Sequence, residues 1–247
     1  MEKRKVQASC VFAPTYASAS YVSSHAMKMS IGKQRIIMVA VMLLWCFAIV
    51  GYRIVAGNQG RGLNGIGLLW NLFLAAVPFF WSIVFRWADR NQRPVWAIVS
   101  FALWLLFLPN APYILTDLIH LRPRPYIPLW FMLAMLLSCA GTGTLLGYLS
   151  LLNVQETIAR KFSTRAGWSV AVGSLMLCGF GIYLGRFLRW NSWDALTKPI
   201  ELARTVVRQF IDSGSHPHPL GVTLIYGVGL LIGYLAIRTM SSSSQRV

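Results

Sequence analysis

Charge is scarce in this sequence. Asp, Glu, Lys and Arg together make up 12% of its 247 residues, against about 25% in soluble domains. So few charges cannot cover a water-facing surface of this size, which excludes an ordinary soluble globular fold. Acidic residues are scarcer still, seven against 23 basic ones, for a net charge of +16. In a soluble protein that excess would point to nucleic acid. Here the basic residues sit between apolar blocks rather than on one face, so no nucleic-acid partner is expected and the charge is read as membrane topology. Cysteine is limited to Cys10, Cys46, Cys139 and Cys178, without a CxxC spacing. That pattern supports neither a disulfide framework nor a zinc site, and three of the four lie inside apolar blocks as small buried residues. His216 and His218 stand in an HPHP loop that, with His120, is weak ground for a metal. No metal and no cofactor are expected. Walker, GxSxG, HExxH and Rossmann signatures are all missing.

What is present is long apolar runs. Ile36–Tyr52, Ile66–Phe85, Val95–Leu108, Leu129–Leu152, Trp168–Gly185 and Leu220–Ile237 contain no Asp, Glu, Lys or Arg. A bilayer core of about 30 Å takes roughly 20 helical residues, and a backbone in lipid must satisfy its own hydrogen bonds. An outer-membrane barrel would show alternating segments of about ten residues, which do not occur. The expected fold is an all-α polytopic transmembrane bundle of about six spans, with the lipid bilayer as its main partner.

Three segments are expected: a disordered polar leader at 1–34, a transmembrane helical domain at 35–240 and a disordered tail at 241–247. The leader is rich in Ser and Ala, and Met27 and Met29 are alternative starts. The first block is longer than a signal-peptide core and is read as a retained span. Val95–Leu108 would rise only about 21 Å, so the third span must continue through Pro109-Asn110-Ala111-Pro112 to about Leu121. Pro109 and Pro112 remove backbone donors and break the helix there, leaving carbonyls that need partners from protein or water. Pro78 kinks the second span more gently. Gly143/Gly147, Gly181/Gly185 and Gly229/Gly233 give spans four, five and six a close-packing face each.

Between spans five and six, Pro199–Asp212 has an amphipathic helical pattern. Ile200, Ala203, Val207, Phe210 and Ile211 fall on one side, with Glu201, Arg204, Arg208 and Asp212 largely on the other. The expectation is a helix on the bilayer surface, or else one packed outside the bundle. An inward N-terminus puts 14 Lys and Arg on the cytoplasmic side and nine outside, so the termini are expected in the cytoplasm. The margin narrows to 11 against nine if translation starts at Met27.

One polar constellation stands out. Asn110, Tyr113, Asp117, His120 and Arg124 would share one face of a continuous helix, within about 80° at 100° per residue. Ionisable residues at membrane depth point to a site or pathway. Span five ends in Arg186, Arg189, Trp190, Trp193 and Asp194, and with six spans the ends of the third and fifth emerge on one side. Asp117 is therefore expected to meet Arg186 or Arg189 in a joint polar site. A purely structural role competes: the arginines snorkel, the tryptophans anchor at the interface, and Asp117 neutralises one arginine. Asn71, inside the second span, is expected to bond a neighbouring helix.

The stretches WNLFLAAVPFF (Trp70–Phe80), FLPNAPYILTDLIHL (Phe107–Leu121) and GIYLGRFLRWNSWD (Gly181–Asp194) resemble a family of bacterial multi-pass membrane proteins carrying a domain-of-unknown-function label. The resemblance runs from the second span to the surface helix. It implies a bacterial cytoplasmic membrane location and supplies no activity or catalytic residue. Three function classes stay open: a membrane protein of unassigned function, a transporter or channel for a small molecule or ion, and a membrane-embedded enzyme acting on a lipid-linked or envelope substrate. An anionic lipid or small molecule is a candidate ligand. The sequence sets no oligomeric state.

Overall fold

The computed structural model describes residues 31–56, 64–122, 127–211 and 219–243. The Ser-rich leader before residue 31, the last four residues, Arg124, Asp212, His216 and His218 lie outside them. The chain divides into Met1–Ile37, whose described part is the start of the first helix, and Met38–Val247, which holds the remaining helices, the cavity and the polar clusters.

The helices in chain order are α1 (Ile31–Ala56), α2 (Asn64–Arg90), α3 (Pro94–Phe107), α4 (Asn110–Tyr113), a 3-10 segment (Ile114–His120), α5 (Leu129–Lys161), α6 (Thr164–Phe187), α7 (Asp194–Thr197), α8 (Pro199–Ile211) and α9 (Pro219–Ser243). Six stretches are long and apolar enough to cross a membrane: Gln34–Val55, Ile66–Arg90, Pro94–Ile119, Leu129–Lys161, Thr164–Phe187 and Pro219–Thr239. The third is the composite of α3, α4 and the 3-10 segment. Ile98, Trp130 and Ile225 are each at least 70% exposed, a cost in water that vanishes against lipid tails. The protein is an all-helical, multi-pass membrane protein.

Helix ends follow local chemistry. Pro94 starts α3 in the first-turn position where its missing N–H costs nothing. Ser163 caps α6 by accepting the Ala166 N–H at 3.1 Å. α5 is the central helix, packing against α2, α4, the 3-10 segment and α6 and buried along most of its length. It runs nine residues past the apolar block that ends at Leu152, because Asn153, Gln155 and Thr157 are buried and bonded rather than exposed.

The predicted break in the third span is present, and its surroundings explain how it is tolerated. α3 stops at Phe107, Pro109 begins a single helical turn, and the chain then tightens into 3-10 geometry. The Asn110 side chain donates to Phe107 O at 3.1 Å, Ala111 N–H to Leu108 O at 3.1 Å, and Thr116 Oγ1 to Tyr113 O at 2.7 Å. Two glycine pairs close on this segment. A Cβ on Gly143 would lie 2.5 Å from Ala111 O and one on Gly147 3.0 Å from Ala111 Cβ; on Gly181 it would lie 2.5 Å from Pro109 Cγ, and on Gly185 3.0 Å from Tyr113 Cε2. The pairs therefore clamp the broken span from α5 and α6. The third pair behaves differently: Gly233 meets Tyr148, while Gly229 faces open space. Close approach of α6 to α9 instead uses Gly179 against Thr223 and Gly227.

α8 divides into three faces. Leu202, Val206 and Gln209 are partly buried, with Tyr183 Oη donating to Gln209 Oε1 at 3.0 Å. Ile200, Val207 and Ile211 are exposed apolar residues, and Glu201, Arg204 and Arg208 are exposed charges. An interfacial helix presents such a division to protein, acyl boundary and water.

The glycine clamp makes a signed prediction. Gly143→Ala forces Ala111 or α5 to shift and should cost about 1–3 kcal/mol. Gly173→Ala meets nothing within 4 Å on the same bundle and should stabilise by up to about 1 kcal/mol through helix propensity. Unfolding of each variant in mixed micelles measures both signs.

Candidate functional site

The site is built around one carboxylate. Asp117 sits in the 3-10 segment Ile114–His120, whose tighter winding departs from the α-helical stripe expected there; residues three apart, rather than seven in two turns, come into line. Arg186, one residue before the end of α6, donates from Nη1 to Asp117 Oδ1 at 3.3 Å and from Nη2 to Thr116 O at 2.9 Å. Asn71 of α2 donates to Asp117 Oδ2 at 3.1 Å. Both carboxylate oxygens are thus engaged, from two helices and opposite sides. The pair is mostly withdrawn from solvent, with side-chain exposures of 13% for Arg186 and 16% for Asp117. The Arg186–Thr116 bond also satisfies a carbonyl at the irregular end of the span.

The remaining predicted residues extend this arrangement. Asn110 Nδ2 donates to Ser192 Oγ at 2.8 Å, and Tyr113 Oη to Gly185 O at 3.4 Å. Both bonds tie the broken span to the end of α6 and the turn beyond it. Asp194 caps that turn, its Oδ2 accepting the Asn191 N–H at 2.7 Å and Asn191 Nδ2 at 3.2 Å. Arg189 has φ 58°, a left-handed conformation that non-glycine residues seldom adopt. This reversal ends α6, with the Trp190 N–H donating to Leu184 O at 3.1 Å, and turns residues 190–193 back over the helix end. Arg189 is exposed, and among the described residues no side chain pairs with it. His120 ends the 3-10 segment; its side chain lies outside the described part.

Between these elements is a cavity of about 770 Å³, within the roughly 300–1,000 Å³ of ligand pockets. Asn71, Asn110, Tyr113, Asp117, Arg186 and Arg189 line it, together with Trp70, Trp190 and Trp193, while Asp194 is not part of the lining. Two arginines against one carboxylate leave the lining with one excess positive charge. Asn110 and Tyr113 therefore share the cavity with Asp117, and Arg186 rather than Arg189 is the partner of Asp117. Among the described residues no cluster of three His, Cys, Asp or Glu side chains is placed to hold a metal.

A second polar cluster, at the opposite end of the bundle, was not anticipated. Arg86 Nη1 donates to Asn153 Oδ1 at 2.7 Å and lies 3.6 Å from Glu156, while Asn153 Nδ2 donates to Ser82 Oγ at 3.1 Å. Asp89 pairs with Lys161 at 3.1 Å. Gln155 accepts from Tyr234 and Arg238, and the Arg238 guanidinium stacks over Trp168 at 4.6 Å. In the sequence these residues resemble ordinary loop-flanking charges. The only signal was the run of polar residues following Leu152.

A family model described as "Protein of unknown function (DUF1361)" matches residues 70–232. That range opens on Trp70 and contains every residue lining the cavity. No curated protein and no solved structure matches the chain.

Removing one partner of the near-buried pair tests its weight. Asp117→Leu leaves the Arg186 guanidinium without its carboxylate and should destabilise by about 3–5 kcal/mol. The reversed pair Asp117→Arg/Arg186→Asp should recover part of that loss. Denaturant titration of the single and double variants in micelles gives the coupling energy, and a value of zero would show that the pair adds nothing.

Proposed function

We propose that this chain, which belongs to the family described as Protein of unknown function (DUF1361), is an integral membrane protein that binds the anionic group of a ligand in the cavity between its third and fifth spans. The observation that carries this reading is Arg189. It lines a cavity walled largely by apolar side chains, and no carboxylate among the described residues neutralises it. A cation beside low-dielectric walls gains most from an anion supplied from outside. Asn71, Trp70, Trp190 and Trp193 line the same space and carry neutral N–H donors, whereas Asn110 spends both amide hydrogens on Phe107 O and Ser192 Oγ. Binding is better supported than acid–base catalysis, because Asp117 spends both oxygens on Arg186 and Asn71. Conduction through the break has less support, since glycines of α5 and α6 pack directly against it.

The proposed orientation places the end bearing Arg86, Arg90, Arg93, Arg160, Lys161 and Arg165 in the cytoplasm of a cytoplasmic membrane. The cavity then opens on the outer side. Phe162, 72% exposed between α5 and α6, is a reporter: a Phe162→Cys variant should react with an impermeant maleimide in inverted vesicles and stay unlabelled in intact cells. Labelling in intact cells would reverse the orientation.

Arg189 itself gives the functional test, because its two roles pull in opposite directions. Arg189→Gly removes left-handed strain of about 1–2 kcal/mol and should raise stability, while also removing the cation. Arg189→Gln keeps the strain and loses the charge. Both should weaken inorganic phosphate binding about tenfold or more, the net worth of a charge-assisted hydrogen bond. Phosphate-dependent shifts in unfolding temperature provide the measurement, and equal shifts in wild type and both variants would remove Arg189 from the site.

A further inference from the structure

The cavity has two ends of different chemistry. Above, at the shared end of the third and fifth spans, are Arg186, Arg189 and the asparagines. Below, its walls are Ala102, Leu105 and Leu106 of α3 and Leu177, Phe180 and Leu184 of α6. Leu177 lies near the middle of the span Thr164–Phe187 and Ala102 about a third of the way along Pro94–Ile119, so the space runs from the membrane boundary to mid-bilayer depth. Both residues are exposed on the outer surface of the bundle, Leu177 at 51%. α3 packs on α2, while α6 packs on α5 and α9. The cavity separates α3 from α6, and its lower half faces lipid.

We infer that the ligand is an anionic amphiphile taken sideways from the bilayer, its charged head at Arg189 and one alkyl chain in the groove between α3 and α6. The inference rests on the anion-binding reading of the polar end and adds the source and shape of the ligand. A free aqueous anion would use only the upper half. It would have no use for an apolar groove that is continuous with the charged end and open to hydrocarbon. An alkyl chain leaving lipid for this groove gains little, because acyl tails are as apolar as the leucines that line it. Selection therefore falls to the head, and the groove's part is to admit the tail without forcing it through water or across a packed helix. Filling the groove should then exclude an alkyl-bearing anion while leaving a tail-free anion alone.

The test uses the whole chain in phosphatidylcholine nanodiscs, with radiolabelled inorganic phosphate, dodecyl phosphate and dodecyltrimethylammonium as probes. Dodecyl phosphate should bind saturably and the cation should not. Ala102→Trp should weaken dodecyl phosphate by about tenfold or more, at least one factor-of-ten step in the binding constant, with inorganic phosphate binding unchanged. Leu177→Trp, on the facing wall, should do the same and serves if the first variant does not fold. Ile98→Trp, equally lipid-exposed on α3 but outside the cavity lining, should change neither. Undiminished dodecyl phosphate binding in both groove variants, with phosphate still bound, overturns the tail groove alone. Binding of neither anion to wild type overturns the head-group reading with it.

Discussion

A peptide group in hydrocarbon must find its hydrogen bond within the protein, and two prolines in the third span make that requirement hard to meet. Pro109 and Pro112 withdraw two donors from a segment that still has to cross. The rest of the structure can be read as the response. Ala111 N–H takes the Leu108 carbonyl that Pro112 cannot serve, Asn110 turns back to the Phe107 carbonyl that Ala111 thereby leaves, Arg186 reaches across from α6 to Thr116 O, and the glycines of α5 and α6 let helix backbones close on the gap. Bringing Arg186 that far into the bundle in turn requires a carboxylate. Asp117 supplies it, and Asn71 holds the free oxygen of Asp117. A break in one helix thereby creates a polar node joining three spans.

The two ends of the bundle use similar side chains to different effect. At the Arg86 end, Arg86, Asp89, Lys161 and Arg238 pair with one another, with a carboxylate or with amides, and Arg238 rests on Trp168, which ties α9 to α5 and α6. At the Asp117 end, one arginine is paired and its neighbour three residues on is not. The first arrangement is what a structural clasp needs. The second leaves charge available to something outside the chain, and it does so beside an open space rather than in a packed one.

Much of this was legible in the sequence, for reasons that can be stated. Spans were readable because lipid imposes long uncharged runs, and the break because no 14-residue helix crosses a bilayer. The meeting of Asp117 with one of the arginines at the end of α6 followed from counting spans: alternate crossings return odd-numbered span ends to one side, where opposite charges in lipid seek each other. The choice of Arg186 over Arg189 was not legible, since it depends on where α6 stops. Nor was the 3-10 winding of the segment that packs against α5. The Arg86 cluster was missed because residues such as Asn153 and Gln155 beyond an apolar block look like the start of a loop; only three-dimensional contact shows that α5 carries them on into the core. Of the glycine pairs, spacing alone could not separate the two that clamp the break from Gly229/Gly233, because which face of a helix meets a neighbour is a property of the whole bundle.

The conformation of Arg189 ties these strands together. A helix end that reverses through a left-handed residue ordinarily uses glycine, which adopts it without a Cβ penalty. Here an arginine occupies the position, and α6 is rich in glycine elsewhere, so glycine is not foreign to this helix. Structural need alone would favour the smaller residue. The strain is retained at a residue that lines the cavity, and the turn it forms carries Trp190, Asn191, Ser192 and Trp193 into the lining. Strained backbone persists where surrounding structure over-determines it, and it concentrates at sites that use the residue for something other than folding. The anchoring bonds are visible: Trp190 N–H to Leu184 O, Asn191 to Asp194 and Ser192 to Asn110. Three separate contacts hold in place one residue whose charge the described fold does not otherwise use, and that is the arrangement a binding residue requires.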